Sequence, residues 1–190
     1  MTPTTAAAAS QQAAPSQTAS KLDAVLATGR PALIGYLPAG FPTVDQSIEA
    51  AKTLIDAGAD IVEIGIPYTD PVMDGPVIQR AVSQALDNGF RVRDVFRVIE
   101  ALRSHRADVP VLAMTYFNPV MRYGVDGFAR DLAAAGGAGL IIPDLIPDEG
   151  AQWIAAADQH NMDKVFLVAP SSTPARLRLT AGASRGFVYA

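Results

Sequence analysis

A chain of 190 residues, 49% of them hydrophobic, holds enough apolar material for one globular domain with a sizeable core. A net charge of -4 without a dense basic patch gives no reason to expect nucleic acid as a partner, and no apolar run nears the roughly 18 residues that cross a bilayer. With no cysteine, disulfides and thiol nucleophiles are excluded, and a zinc site would need other ligands.

Residues 1–19, MTPTTAAAASQQAAPSQTA, lack large apolar side chains and cannot offset the entropy of ordering, so they read as a disordered tail. The tail has neither a basic start nor a Leu/Ile/Val-rich centre, so a secretory signal is not expected and the cytoplasm is the default compartment. From Ser20, read as a helix N-cap, short β-branched runs alternate with Ala-rich amphipathic stretches. Strands are predicted at 32–37, 60–66, 110–115, 139–142, 164–169 and 186–190, and helices near 44–57, 77–87, 93–105, 125–135, 148–159 and 174–181. DAGAD, AAGGAG and TAGASRG each place a Gly (Gly58, Gly136, Gly182) where a helix ends and a strand begins, the position of a left-handed cap. Repeated βα units imply a parallel sheet covered by helices. The sheet can close as a barrel or stay open. No GxGxxG follows the first strand, which disfavours a dinucleotide-binding unit, while a closed barrel needs eight βα units and only six strands are counted.

The second strand, DIVEIGI, carries an acid in its middle. Side chains alternate between faces, so Val62, Ile64 and Ile66 pack toward helices while Ile61, Glu63 and Gly65 point inward. A carboxylate there is desolvated, its pKa rises, and it suits proton exchange near neutrality. The alternative is a structural acid paired with an arginine. Gly65 leaves room for a ligand beside the Glu. The loop YTDPVMDGP adds Asp70 and Asp74, each also a good turn former. Three acids on one strand-loop segment favour divided acid and base roles.

The other chemistries of barrels lack residues in position. Lys21 and Lys52 fall on helices, and Lys164 opens its strand at the end opposite the expected site, so no Schiff-base lysine is placed. His105 and His160 lie at helix ends and share no site, which leaves no metal ligand set. A phosphate-binding epimerase or aldolase barrel is disfavoured for the same reasons, and proton transfer by carboxylates remains.

The segment VEIGIPYTDPVMDGPVIQRA resembles the signature of the tryptophan synthase alpha subunit family, in which E-x-G-x-P is followed by a DP step and a DGP loop. GYLPAGFP (35–42), TYFNPV (115–120), LIIPDLIPDE (140–149) and RGFVYA (185–190) extend the likeness from about residue 22 to residue 190. The resemblance implies an α/β fold of the (β/α)8 TIM-barrel type and cleavage of indole-3-glycerol phosphate to indole and glyceraldehyde 3-phosphate. It implies no cofactor in this chain, and a pyridoxal-phosphate-dependent beta subunit as partner in an αββα heterotetramer. By position, Glu63 becomes the general acid/base and Asp74 the acceptor for the indole N–H. Tyr36 and Tyr116 would line the indole pocket, or else serve as aromatic core. Tyr189 would sit near Glu63. Asp70 would contact the beta subunit, and Asp144 would lie near the subunit interface.

The same resemblance implies strands seven and eight, a mobile loop after strand six and a Gly/Ser-rich phosphate cradle, none of which residues 20–190 supply. Residues 20–190 are therefore expected to be a partial TIM barrel from a longer protein, with exposed edges on its first and sixth strands. A chain that only docks on a beta subunit without cleaving substrate is the alternative reading.

Overall fold

The computed structural model describes residues 14–190. Thirteen elements follow in chain order: α1 (Gln17–Leu26), β1 (Ile34–Pro38), α2 (Val44–Asp56), β2 (Ile61–Gly65), α3 (Pro76–Asp87), α4 (Asp94–His105), β3 (Val111–Met114), α5 (Phe117–Tyr123), α6 (Val125–Ala134), β4 (Gly139–Ile141), α7 (Ala151–Gln159), β5 (Asp163–Val165) and α8 (Pro174–Ala183). The five strands form one parallel sheet in the order β1-β2-β3-β4-β5. Each strand lies beside its sequence neighbour because each pair is joined by at least one helix, and a helical crossover returns the chain in the same direction.

Helix starts follow local chemistry. Thr43 accepts the Gln46 N–H at the start of α2, and Thr173 accepts the Arg176 N–H at the start of α8, where Pro174 supplies a fixed φ. Gly58 and Gly136 follow α2 and α6 with φ of +106° and +83°, as their cap positions require. Gly182 differs from expectation: it lies inside α8, and Gly186, at φ +103°, makes the turn instead.

The expected tail and first helix also need correction. Residues 1–13 lie outside the described residues, but Gln17–Ala19 are helical. The N-cap of α1 is Ser16, not Ser20; the Ser16 hydroxyl accepts the Ala19 N–H, and the Ser20 hydroxyl donates to the Ser16 carbonyl inside the helix. The cause is tertiary. Asp163, 1% exposed at the start of β5, accepts hydrogen bonds from the Ser16 hydroxyl (2.9 Å), the Thr18 N–H (3.1 Å) and the Thr18 hydroxyl (2.5 Å). Arg185 stands 3.4 Å from the other carboxylate oxygen and donates to the Ala14 carbonyl. This buried carboxylate fastens the N-terminal segment across the foot of the sheet.

The run 186–190 is not a strand. It pairs through one isolated bridge, Leu167 with Tyr189, and the preceding Arg185 makes another with Lys164 of β5. Left-handed Gly186 breaks the extended backbone that a ladder needs. Helix α5 is an unexpected element. It begins after Tyr116 and stops at Gly124, φ +98°.

The core has two parts. Val62, Ile64 and Ile66 belong to the large layer between sheet and helices, with Phe128, Leu132 and Trp153. Ile61, Leu112, Ile141 and Val165 form a smaller inner layer, against which Leu22 of α1, Ile34, Met114 and Phe187 pack. Each fully buried side chain of this size contributes about 1.5–3 kcal/mol. The β-branched alternation of β2 thus orients Glu63 toward the inner layer.

Candidate functional site

Parallel pairing sets Tyr36 of β1 beside Glu63 of β2, and Glu63 beside Leu112 of β3. Glu63 is the middle residue of its five-residue strand, and it is only 3% exposed. Burial pushes its carboxyl up to about 7. The side chain borders a cavity of about 280 Å³ that Ile34, Tyr36, Phe187 and Tyr189 also line. A carboxyl group with such a pKa holds and releases a proton at neutral pH.

Two tyrosines share this environment. Tyr189 is 39% exposed, and the nearby Glu63 charge, followed by burial, raises its hydroxyl pKa. Tyr36 is half-buried; burial raises its pKa first, followed by the charges of Asp74, Tyr116 and Glu63. The space above Gly65 is not free for a ligand, contrary to the sequence reading. A Cβ built on Gly65 would lie 2.1 Å from the Tyr36 hydroxyl, so the glycine makes room for that tyrosine.

Asp74 and Tyr116 meet each other outside the lining of the Glu63 cavity, close enough for their charges to act on Tyr36. The buried Tyr116 hydroxyl donates to Asp74 Oδ1 (3.3 Å) and accepts the Met73 N–H (2.9 Å). Burial, then the adjacent loop, perturbs this hydroxyl, with a net upward shift of its pKa. Asp70 and Asp144 do not join the Glu63 cavity. Asp70 is exposed, bonded to the Thr69 hydroxyl, and lines a separate groove of about 460 Å³ with Tyr68, Asn118 and Arg122. Asp144 is exposed and accepts the Phe117 N–H at the start of α5 (2.9 Å).

The excluded groups lie elsewhere. Lys164 is buried in β5 and pairs with Asp158. His105 pairs with Asp56 at the end of α4, and His160 with Asp126 after α7. Among the described residues no group of three or more potential metal ligands occurs, and no helix is long and apolar enough to cross a membrane. Sequence reasoning missed Phe187, which walls the cavity, and Tyr68, whose ring packs at a tilt against Tyr116 with centroids 5.5 Å apart. Their only signal was position, inside the quoted motifs RGFVYA and IPYTDP.

The profile of the family described as "Tryptophan synthase alpha chain" matches residues 22–190. The chain belongs to that family. A tryptophan synthase alpha chain from Mycobacterium marinum is 60% identical over 168 residues, covering 88% of this chain and 62% of the relative. One from Leifsonia xyli is 64% identical over 159 residues, covering 84% of this chain and 60% of the relative. The chain therefore spans about three fifths of the length of these alpha chains. Among solved structures, Mycobacterium tuberculosis tryptophan synthase superposes with a TM-score of 0.89 at 56% identity, covering 93% of this chain and 68% of that one. The alpha subunit from Legionella pneumophila superposes with a TM-score of 0.89 at 31% identity, covering 93% and 67%. In the alpha-chain family the parallel sheet described above is part of a (β/α)8 barrel.

Proposed function

We propose that this chain acts in tryptophan biosynthesis as a lyase, cleaving indole-3-glycerol phosphate to indole and glyceraldehyde 3-phosphate. The observation that carries this reading is Glu63: a buried acid bordering a cavity, with its carboxyl near neutrality. Protonated Glu63 gives its proton to C3 of the indole ring, which interrupts the ring's conjugation. Asp74 accepts the indole N–H and stabilises the indolenine tautomer. The Glu63 carboxylate then takes the proton of the glycerol hydroxyl next to the ring, the carbon–carbon bond breaks, and its electrons return to the ring as the aldehyde forms. One carboxyl that both gives and takes a proton must titrate near the working pH, which burial supplies.

Tyr36 and Tyr189, which border the Glu63 cavity, are assigned to the walls of the indole site; the Tyr116 hydroxyl, expected there, is engaged with Met73 and Asp74. Asp70 and Asp144, on exposed loops at that end of the sheet, are assigned to contacts with a beta chain in an αββα assembly. Pyridoxal phosphate is assigned to that beta chain, and the compartment to the cytoplasm. The relatives solved as whole tryptophan synthase support the partner assignment.

The test is Glu63→Gln, which keeps shape and removes the titrating group. Indole release from indole-3-glycerol phosphate is measured with and without a beta chain. A fall of at least about a hundredfold is expected, the usual scale of a lost general acid/base. Retained indole release refutes the assignment. Stimulation of the beta chain with no indole release from the parent leaves docking as the function.

A further inference from the structure

The loop that carries Asp74 has little to hold it. Between β2 and α3 the chain exposes Val72 and Met73, with 78% and 58% of their surface in solvent, so apolar packing does not fix residues 70–75. The Asp74 carbonyl accepts from Gln79 of α3, a contact near in sequence. Among the described residues, the hydrogen bonds from residues 70–75 to the far side of the mouth run through one hydroxyl. Tyr116 Oη accepts the Met73 N–H at 2.9 Å and donates its proton to Asp74 Oδ1 at 3.3 Å.

Tyr116 is itself well anchored. It is buried just after β3, at the N-cap of α5, its ring lies 5.5 Å from that of Tyr68, and the Tyr68 hydroxyl accepts from Asn118 of α5. A phenol has one proton and two lone pairs. The loop uses the proton and one lone pair, so the hydroxyl has no proton left to donate to a substrate.

We propose that Tyr116 is a positioning residue, whose hydroxyl clips the Asp74 turn to the junction of β3 and α5 and so fixes where the Asp74 carboxylate stands. It acts through Asp74 rather than by holding the indole ring. The catalytic meaning of the clip rests on the reading of Asp74 given above. The clip itself does not.

Tyr116→Phe tests both. The ring and its packing on Tyr68 remain, and the released Met73 N–H lies in an exposed loop, so the fold is retained. Amide hydrogen exchange at Met73 is expected to speed up about tenfold, the scale of one or two lost hydrogen bonds. For indole formation, kcat is expected to fall about tenfold while KM changes by less than about twofold, because a loosened Asp74 weakens the transition state and leaves ground-state binding intact. A raised KM with kcat preserved makes Tyr116 a substrate-binding wall and overturns the proposal. Unchanged exchange at Met73 overturns the clip. If the parent protein forms no indole, the proposed reaction fails, and the exchange measurement alone decides the clip.

Discussion

Burying Glu63 should cost stability, and the cost should depend on pH. Its carboxyl titrates at 4.5 when exposed and at about 7 in the folded chain. The folded state therefore binds the proton more tightly than the unfolded state. The stabilising effect of that proton is complete below about pH 4.5 and is lost as pH rises through about 7. A difference of about 2.5 pKa units corresponds to about 3 kcal/mol. Glu63→Gln presents a neutral, nearly isosteric group at every pH and escapes the penalty. The variant is expected to gain on the parent by up to about 3 kcal/mol between pH 5 and pH 8. With a urea slope of about 2 kcal/mol/M, the difference between the two midpoints grows by on the order of 1 M. Other titrating groups are common to both proteins and cancel in the comparison. Urea titrations at half-unit pH steps read the effect. A midpoint difference that stays the same at pH 5 and pH 8 shows that Glu63 is not held in a desolvated site, and removes the basis for its proposed role.

Three further outcomes are expected. Asp163→Ala strips acceptors from Ser16 and Thr18 and the counter-charge from Arg185; a loss of about 3–5 kcal/mol in urea unfolding is expected, with faster amide exchange across Gln17–Leu26, and normal protection there would contradict the anchoring role. Gly65→Ala forces a methyl against the Tyr36 hydroxyl and should cost about 1–3 kcal/mol, while the double change with Tyr36→Ala should recover part of the loss; additivity of the two would show that they do not touch. The Arg30 guanidinium, paired with Asp60 through two hydrogen bonds and helped by the Leu33 N–H, holds the Asp60 carboxyl down at about 2. Stability from this pair is present above about pH 4 and lost as pH falls toward 2, so Asp60→Asn should flatten that part of the acid-unfolding curve, and an unchanged curve would exclude the pair as a contributor.

Much of the frame was legible because it is local. Alternation in DIVEIGI fixed which face Val62, Ile64 and Ile66 take, and therefore where Glu63 points. Gly58 and Gly136 mark helix ends because only glycine adopts their backbone angles cheaply. What stayed hidden depends on contacts distant in sequence. Ser16 displaces Ser20 as a cap because Asp163, 147 residues away, bonds the Ser16 hydroxyl. The space beside Gly65 belongs to Tyr36, a residue of the neighbouring strand. The run 186–190 has strand composition, yet the left-handed turn at Gly186 limits it to one isolated bridge. In the site, Asp74 and Tyr116 stand in separate motifs, and only the folded chain brings the two together.

The fastening of Ser16 and Thr18 to Asp163 sets an order of events during synthesis. At about 5–20 residues per second, roughly 7 to 30 s separate the emergence of Thr18 from that of its carboxylate partner. Helix α1 thus waits, unclasped, for β5, and during that wait the inner apolar layer that Leu22 later covers lies open to solvent and to chaperones.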